Sequence, residues 1–351
     1  MPSAICAIFA ATRWSIIAEV SLPAPLAVAL GDPAGVGPEI VARSWERRAA
    51  VGLPPFFAVG ACDSIRAVWD GPVETIGDVG QAADVFPHAL PVIRVGGGHA
   101  ITPGSPDLDG ARTTLDSLEM AVGLTRGGVA SGLVTGPVSK AQLYAIGFAH
   151  PGQTEFVAER CGVAGDCVAM MLVGPDLRTV PVTIHAPLRE VPNLLTPELI
   201  IARARATIRG LQRQFGIEQP RIAVAGLNPH AGEEGALGRE DIDIIMPAIE
   251  RLRDEGFDVT GPHPADTLFH ARARARYDAA LCMYHDQALV PVKTLYFDEG
   301  VNMTLGLPIV RTSPDHGTAF DIAGKGEADP GAMIAALKIA AAAAGRIAAA
   351  A

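Results

Sequence analysis

Short apolar runs rich in β-forming residues recur along this chain, and stretches with a helical pattern separate them. Runs of this length and composition are typical of buried parallel strands. They lie at 26–30, near 167–173, 179–185, 221–226 and 278–284, and the clearest helical stretches are 197–215 and 239–254. Alternating strands and helices predict an α/β fold with mostly parallel sheets flanked by helices.

The size and charge of the chain limit its class. At 351 residues it is too long for one ordinary core, so we expect two domains. It is 49% hydrophobic and 19% charged, as in globular enzymes with a large buried fraction. The net charge of −10 argues against nucleic acid as a partner. An anionic substrate would need a local basic cluster, because the overall field repels it.

Cysteine usage and the two ends of the chain bear on location. The five cysteines lack CxxC spacing, which indicates a reducing compartment, the cytoplasm, and suggests mostly core positions: Cys6, Cys62, Cys161, Cys167 and Cys282. Residues 1–24 lack the basic start of a signal peptide, and we interpret them as a peripheral extension. The alanine-rich run 331–351 contains Lys338 and Arg346, which favours a closing surface helix over a membrane anchor.

Three histidines stand at the ends of apolar runs: His185, His230 and His285. In open α/β sheets, ligands bind just beyond the carboxyl ends of the strands. Three imidazoles at that edge could form a metal site with a coordination position open for substrate. The alternative for each is an ordinary hydrogen-bonded histidine at a strand end.

Positive charge is concentrated between 293 and 311. Lys293 and Arg311 each follow an apolar run, and a phosphate or carboxylate suits such cations better than solvent does, although either one alone could be a solvated surface residue. Thr154 stands near the start of a predicted helix, where backbone N–H groups and a hydroxyl favour an anion.

Two glycine-rich segments flank the predicted sheet. The first, GDPAGVGPEI at 31–40, lacks GxGxxG spacing and has carboxylates where a pyrophosphate would lie, so a tight strand-to-helix turn explains it as well as nucleotide binding does. Pro38 and Glu39 suit the start of a helix. The second, DHGTAFDIAGKG at 315–326, is typical of a loop wrapped around a ligand.

The segments GDPAGVGPEI, TGPVSK, GQTEF, VTIHAPLREV, GLNPHAGEEGALG, GPHPADTLF, MYHDQALVPVK, GVNMTLGLP and RTSPDHGTAFDIAGKG occur in this order from about 26 to about 340. Together they resemble the 4-hydroxythreonine-4-phosphate dehydrogenase family of pyridoxal phosphate biosynthesis. The last segment also resembles the adenosine-binding loop of the related isopropylmalate and isocitrate dehydrogenases.

The resemblance implies a role for each matched residue. His185, His230 and His285 correspond to ligands of one divalent metal, with zinc, magnesium or cobalt as candidates, at a homodimer interface to which both subunits contribute. The matched substrate-binding residues are Thr154, Lys293, Asn302 and Arg311. The loop with His316, Gly317 and Asp321 corresponds to the site of NAD or NADP.

One position departs from the family pattern. Gln153 stands where many members have a substrate-contacting histidine, in GHTEF. A glutamine can bind substrate through a neutral hydrogen bond, but it cannot exchange a proton near pH 7. The change puts a proton-transfer role in doubt and bears on the choice among phosphorylated hydroxy acids.

The implied reaction is oxidation of 4-phosphooxy-L-threonine and decarboxylation to 3-amino-2-oxopropyl phosphate. Asp266 and Asp286 are candidates for acid–base or metal-supporting work, with surface carboxylates or helix caps as the alternative. Two other functions stay open: a paralogous dehydrogenase of 4-phospho-threonate or phospho-erythronate, and a three-histidine metal hydrolase.

The expected architecture has two α/β/α domains, with the active site in the cleft between them at the dimer interface. We expect residues 25–145 with 300–351 in one domain, and residues 146–299, with the metal histidines, in the other. Neither a membrane nor nucleic acid is expected as a partner.

Overall fold

The computed structural model of the chain describes residues 24–96, 98 and 100–350. The interpretation of residues 1–24 therefore falls, except for residue 24, outside the described residues. The strands are Leu26–Ala29 (β1), Phe56–Gly60 (β2), Val73–Thr75 (β3), Leu90–Arg94 (β4), Leu133–Thr135 (β5), Ala169–Val173 (β6), Arg178–Pro181 (β7), Arg221–Ala225 (β8), Asp258–His263 (β9), Ala279–Cys282 (β10), Val301–Leu305 (β11) and Arg311–Pro314 (β12).

Helices connect most of these strands. They are Gly37–Glu46 (α1), Arg48–Val51 (α2), Cys62–Arg66 (α3), Ala82–Val85 (α4), Leu108–Arg126 (α5), Lys140–Ala145 (α6), Gln153–Arg160 (α7), Val191–Leu194 (α8), Pro197–Phe215 (α9), Met246–Asp254 (α10), Ala265–Leu268 (α11), Ala271–Arg274 (α12), His285–Tyr296 (α13) and Gly331–Ala350 (α14). A π-helical turn, Asp241–Ile245, leads directly into α10.

The chain forms two compact units. The first unit contains the described residues up to Gly165 and those from Val301 onward, and the second contains Asp166–Gly300. The sequence instead predicted a boundary at 145/146. Helix α7 lies in the first unit because Gln153, its first residue, is hydrogen-bonded to Gly136 and Arg311 there.

The strands of the first unit have the order β3-β4-β2-β1-β5-β12-β11, and only β11 and β12 pair antiparallel. All four residues of β1 are buried, as expected for a central strand with both faces covered. Helix α5 packs on β1 and β2, and its Ser117 hydroxyl donates to the Val59 carbonyl oxygen at 2.5 Å.

In the second unit the strand order is β6-β7-β10-β8-β9, with β6 and β7 antiparallel and the other pairs parallel. Four neighbouring strands, β7, β10, β8 and β9, therefore end at the same edge. Buried Leu172, Leu177, Ala280 and Val292 belong to the core beneath them. The predicted α/β class with mostly parallel sheets is confirmed.

The C-terminal helix differs from its prediction. The alanine-rich run does form a helix, but most of α14 is buried, and the Thr312 hydroxyl donates to the Ala336 carbonyl oxygen at 2.9 Å. By length and composition, α14 is the one described helix that could cross a membrane. However, 61% of its most apolar window is buried inside the molecule, which is typical of a core helix. Helix propensity is local, whereas burial depends on the strands that α14 covers.

The cysteines are less uniformly buried than predicted. Cys62 and Cys282 are core residues, but Cys161 is half-buried and Cys167 is exposed, and all four are free thiols. Cys6 lies outside the described residues.

Candidate active site

The carboxyl ends of four parallel strands form one edge of the second unit. His185 lies four residues beyond β7, His285 three beyond β10, and His230 five beyond β8. Asp266 lies three residues beyond β9, exposed near the start of α11. Since the strand order is β7-β10-β8-β9, the topology brings the ends of these four segments together, as the parallel pattern of the sequence predicted.

His185 and His285 lie closest to each other, with ring centroids 5.7 Å apart. His285 begins α13, and its Nδ1 lies 2.7 Å from Oδ1 of Asp286. This hydrogen bond leaves Nε2 as the ring nitrogen of His285 that can bind a metal. His185 has a positive φ of 49°, a conformation that a residue with a side chain adopts only when its surroundings hold it there.

His230 lies in a left-handed turn. Residues 230–234 all have φ between 43° and 80°, and four of the five are not glycine. Each such residue costs roughly 1–2 kcal/mol relative to right-handed backbone. The turn therefore requires strong anchoring elsewhere.

A buried carboxylate supplies that anchoring. Asp241 is only 1% exposed and accepts three hydrogen bonds from the segment before His230. Their donors are the backbone N–H of Leu227 at 2.9 Å, the backbone N–H of Asn228 at 3.2 Å and Nδ2 of Asn228 at 3.0 Å. The carboxylate of Glu240 accepts a further bond from Nδ2 of Asn228 at 2.8 Å. The entry to the left-handed turn is thus fixed by groups that follow it in the chain.

Gln287 joins the strand ends that precede His230 and His285. It is buried, its Oε1 accepts from the Met283 backbone N–H at 2.6 Å, and its Nε2 donates to the Gly226 carbonyl oxygen at 2.7 Å. Sequence reasoning missed both Gln287 and Asp241. Only the position of Gln287, two residues after His285, could have suggested its role.

The described part of the chain contains no group of three His, Cys, Asp or Glu side chains close enough to hold a metal. His185 and His285 by themselves do fit one. Two imidazoles on a tetrahedral zinc, with Zn–N bonds of ~2 Å, have ring centroids about 5 Å apart. The pair can therefore supply two of the three predicted ligands, and the fold of one chain does not add His230 to them.

The other predicted residues of the second unit lie on α13. Asp286 is mostly exposed and bonds His285, as a carboxylate that orients a metal-binding imidazole would. Lys293 is in the last turn of the helix, with its Nζ 5.7 Å from the ring centroid of Phe297.

In the first unit, Arg311 is the centre of a polar cluster. Its guanidinium is 3% exposed and donates to Oγ1 of Thr304 at 3.2 Å and Oγ1 of Thr135 at 2.8 Å. It also donates to Oε1 of Gln153 at 3.4 Å, while Nε2 of Gln153 donates to the Gly136 carbonyl oxygen at 3.2 Å. Gln153 therefore uses both ends of its amide to position the guanidinium.

The hydrogen-bonding capacity of this cluster is incomplete. Nε of Arg311 and Oδ1 of Asn302 are buried without a partner. Burial lowers the pKa of Arg311 to about 10, against the opposing effect of the Glu155 carboxylate, so the group stays cationic at neutral pH. Thr154 and Gln153 form the first turn of α7, whose N-terminus carries partial positive charge. A buried cation with an unused donor beside a helix N-terminus is suited to an anion.

The predicted cofactor residues lie in the loop between β12 and α14. His316, Gly317 and Asp321 are exposed, and Nδ1 of His316 lies 3.0 Å from the Gly317 carbonyl oxygen. The loop rests on the turn between β1 and α1, where the Val36 backbone N–H donates to the Thr318 carbonyl oxygen at 3.0 Å.

The GDPAGVGPEI segment is that turn. Gly31 has a φ of 79°, and a Cβ on it would lie 2.3 Å from the Pro137 carbonyl oxygen, so only glycine fits. Asp32 accepts from the Ala34 backbone N–H at 3.0 Å, and burial raises the pKa of its carboxyl group. The tight-turn interpretation describes this segment, which cradles the later loop.

Comparison with known proteins shows the family of the chain. Residues 57–340 match the family model described as "Pyridoxal phosphate biosynthetic protein PdxA". The chain is 60% identical over 317 residues to the 4-hydroxythreonine-4-phosphate dehydrogenase of Zymomonas mobilis, covering 90% of this chain and 95% of that one.

Two solved structures are also similar. The 4-hydroxythreonine-4-phosphate dehydrogenase of Klebsiella pneumoniae is 34% identical with a TM-score of 0.82, over 92% of this chain and 99% of that one. A terephthalate 1,2-cis-dihydrodiol dehydrogenase from Burkholderia xenovorans is 30% identical with a TM-score of 0.63, over 91% of this chain and 98% of that one. These relatives are dehydrogenases, which removes the basis for a metal hydrolase. The chain belongs to the PdxA family of pyridoxal phosphate biosynthetic proteins and is an enzyme of the dehydrogenase class.

Proposed function

We propose that this enzyme catalyses the NAD(P)-dependent, metal-assisted oxidation of 4-phosphooxy-L-threonine and its decarboxylation to 3-amino-2-oxopropyl phosphate. The observation that carries the proposal is the pair of imidazoles, His185 and His285, at neighbouring parallel strand ends, with His230 on the loop of the next strand. The proposed substrate is taken from the family, since the relatives are named for 4-hydroxythreonine 4-phosphate.

The metal site is proposed to be shared by two copies of the chain. His185 and His285 lie together, and no third ligand joins them within the described part of one chain. His230 of one copy would then complete the site of another. A divalent ion such as zinc, magnesium or cobalt supplies positive charge that lowers the pKa of a substrate hydroxyl and stabilises the negative charge formed on loss of carbon dioxide.

Exposed apolar side chains support the homodimer. Each histidine segment is followed by large exposed hydrophobic residues. Leu188 is 67% exposed and follows His185, Leu237 is 46% exposed and follows His230, and Val290 is 59% exposed and follows His285. Large exposed apolar side chains near functional segments favour association with another protein surface. A second copy would cover them and bring in the missing imidazole.

The chain's own residues divide the remaining work. The Arg311 guanidinium and the first turn of α7, with Thr154, bind the phosphate, and Asn302 provides an unused buried acceptor for a substrate N–H or O–H group. Lys293 binds a second anionic or oxygen group of the substrate. Asp286 orients His285, and we assign proton uptake or return to Asp266, which is exposed beyond the end of β9.

The loop with His316, Gly317 and Asp321 is proposed to hold NAD or NADP, which accepts the hydride from the substrate. Exposed glycine and polar side chains leave the loop accessible to a dinucleotide. We further propose a cytoplasmic location, consistent with the free thiols and a biosynthetic family, and no membrane or nucleic-acid partner.

A second substrate class is favoured by one residue. Gln153 is bonded to Arg311, where many family members have a histidine. This departure from the family pattern is the ground for the alternative substrates 4-phospho-threonate and phospho-erythronate, which have the same phosphate but no amino group. The Burkholderia xenovorans relative, named for a different diol, is a reason to test this alternative.

The test is a steady-state assay of NADH or NADPH formation with each substrate, each cofactor and a metal series. We expect metal-dependent turnover of 4-phosphooxy-L-threonine. Activity on phospho-threonate alone would support the alternative, and inactivity with all substrates would refute both.

A His230→Ala variant tests the shared metal site. We expect loss of turnover and of bound metal, with the circular dichroism spectrum kept, because exposed His230 is not part of the core. The matched control is His88→Ala, an exposed histidine of the first unit, which should retain both. Full metal content in the His230 variant would contradict the three-histidine assignment.

A further inference from the structure

Two side chains of α1 hold the segment from Gly324 to Ala328, just beyond the proposed cofactor residues. The carboxylate of Glu39 accepts from the Gly324 backbone N–H at 3.2 Å and the Ala328 backbone N–H at 3.3 Å. One turn later, Arg43 donates to the Gly326 carbonyl oxygen at 2.5 Å and the Ala328 carbonyl oxygen at 3.2 Å. The two side chains thus bind both the donors and the acceptors of one short loop segment.

The two side chains also bind each other. Nε of Arg43 lies 3.4 Å from Oε1 of Glu39, whose side chain is 1% exposed. A buried carboxylate is stable only when its charge is paired and its oxygens accept hydrogen bonds. Arg43 supplies the opposite charge, and the loop supplies the N–H groups. Burial of Glu39 is therefore coupled to the conformation of the loop.

The loop has no helix or strand to fix its own backbone. Residues 315–330 form turns and irregular structure, and Gly324 and Gly326 have φ values of 73° and 75°. A Cβ on Gly326 would lie 3.3 Å from Nη2 of Arg43, so the loop passes close to the guanidinium. Without the contacts to α1, a glycine-rich segment of this kind would sample many conformations.

Contacts at the other end of the loop complete the cradle. The Val36 backbone N–H donates to the Thr318 carbonyl oxygen, and a Cβ on Gly104 would lie 2.8 Å from the Phe320 carbonyl oxygen. The loop that includes His316, Gly317 and Asp321 therefore contacts both the β1–α1 segment and the segment that contains Gly104. The role of this segment toward the cofactor is indirect, since it supports the loop.

We infer that Glu39 and Arg43 are positioning residues that set the affinity for the dinucleotide by holding the 316–328 loop in its binding conformation. The inference rests on the proposed function, because it takes this loop as the NAD or NADP site. If the loop adopts its binding conformation only part of the time, its apparent affinity for the dinucleotide falls in proportion to that fraction of time. The pair should affect dinucleotide binding and leave the binding of the phosphorylated substrate unchanged.

Arg43→Ala and Glu39→Gln test the inference. Arg43→Ala leaves the buried Glu39 carboxylate without its opposite charge, so its melting temperature is measured beside the binding, and Glu39→Gln is the variant that leaves no unpaired buried carboxylate. In Glu39→Gln one carboxamide oxygen can still accept one of the two loop N–H groups, so its effect should be the smaller. Arg112→Ala is the matched control, because Arg112 pairs with Asp109 on the exposed face of α5.

Calorimetric titration of NADH and NADPH without substrate gives the affinity directly, and hydrogen exchange of peptides covering 316–328 gives the order of the loop. For Arg43→Ala we expect the dissociation constant to rise about tenfold. Loop exchange should become faster and the KM for the phosphorylated substrate should not change. The control should match the wild type in all three.

The outcomes separate the two claims. Wild-type dinucleotide affinity in both variants would overturn the positioning role and leave the proposed function standing. An equal loss of substrate and dinucleotide binding would also overturn the positioning role and leave the proposed function standing, because it indicates a general structural defect. If the wild-type enzyme binds neither dinucleotide, the cofactor assignment of the loop fails, and the positioning role fails with it.

Discussion

Replacement of Asp241 by asparagine should release the strained turn that carries His230. Asparagine keeps one acceptor oxygen, which can still bind the Leu227 backbone N–H. If the amide oxygen turns instead toward the two Asn228 donors, which bond Asp241 at 3.2 and 3.0 Å, the NH₂ group faces the Leu227 backbone N–H. In either orientation at least one of the three hydrogen bonds is lost, and those that remain lose their charged acceptor.

The size of the effect follows from these lost and weakened bonds. A hydrogen bond to a charged group contributes about 1.5–3 kcal/mol and one between neutral groups about 0.5–1.5 kcal/mol, so the loss of one bond and the weakening of two cost about 3 kcal/mol or more. The four non-glycine residues in left-handed backbone store roughly 4 kcal/mol at least. Because the lost stabilisation is comparable to the stored strain, we expect the turn to relax, and His230 to leave its position.

Hydrogen exchange measured by mass spectrometry detects this opening. A loss of about 3 kcal/mol corresponds to more than a hundredfold lower protection of the Leu227 and Asn228 amides. Zinc affinity, measured by calorimetry, should fall in parallel. Asp243→Asn is the control, because Asp243 lies two residues further on and forms an exposed pair with Arg239. Surface pairs contribute little, so this variant should behave like the wild type. Unchanged protection in Asp241→Asn, or an equal loss in the control, would refute the anchoring role.

Three further substitutions test the first unit. Arg311→Ala removes charge-assisted hydrogen bonds, so calorimetry should show substrate affinity lowered roughly tenfold to over a hundredfold with little change for NAD; loss of NAD binding alone would place Arg311 in the cofactor half of the site. Gln153→His should give an active enzyme whose kcat/KM gains a pH dependence below the ordinary histidine pKa of ~6.5. The reason is that the Arg311 cation, which is bonded to Gln153 in the wild type, would disfavour a charged imidazole at this position. A flat pH profile would argue against this contact. Burial raises the pKa of Asp32 above its ordinary value of 3.8, so the folded protein holds this proton more tightly than the unfolded chain does. The stability gained in this way is present at low pH and is lost as the pH rises through the folded-state pKa. Asp32→Asn should therefore melt at a higher temperature than the wild type at pH 7, and the gain should vanish near pH 3.8; an equal difference at both pH values would contradict the burial argument.

The placement of the three candidate histidines could be predicted because they follow strand ends. The apolar runs before His185, His230 and His285 are local patterns, and parallel strands necessarily end at a common edge. The groups that hold these histidines were not predictable. Asp241 lies eleven residues after His230, in a π-helical turn, and nothing in its sequence neighbourhood marks it as buried.

In the first unit, too, local features could be predicted from the sequence and long-range contacts could not. The resemblance of the DHGTAFDIAGKG loop to an adenosine-binding loop was visible in the sequence, and so was the start of a helix at Pro38 and Glu39. That Glu39 bonds Gly324 and Ala328, 285 and 289 residues later, depends on the packing of α1 against the loop. That α7 belongs to the first unit likewise depends on long-range contacts, such as the bonds of Gln153 to Gly136 and Arg311.

The sequence by itself determined the α/β class, the positions of five strands (β1, β6, β7, β8 and β10) and the identity of the polar residues that follow several of them. These properties depend on hydrophobic periodicity and on short motifs, which are local. The tertiary structure alone decided which of those residues meet: His185 lies against His285, whereas His230 lies in a left-handed turn and completes no group of three ligands among the described residues. It also decided that α14 is buried rather than on the surface. Strain, burial and long-range hydrogen bonds arise only when distant segments pack together, and the sequence of one segment does not identify the segment that packs against it.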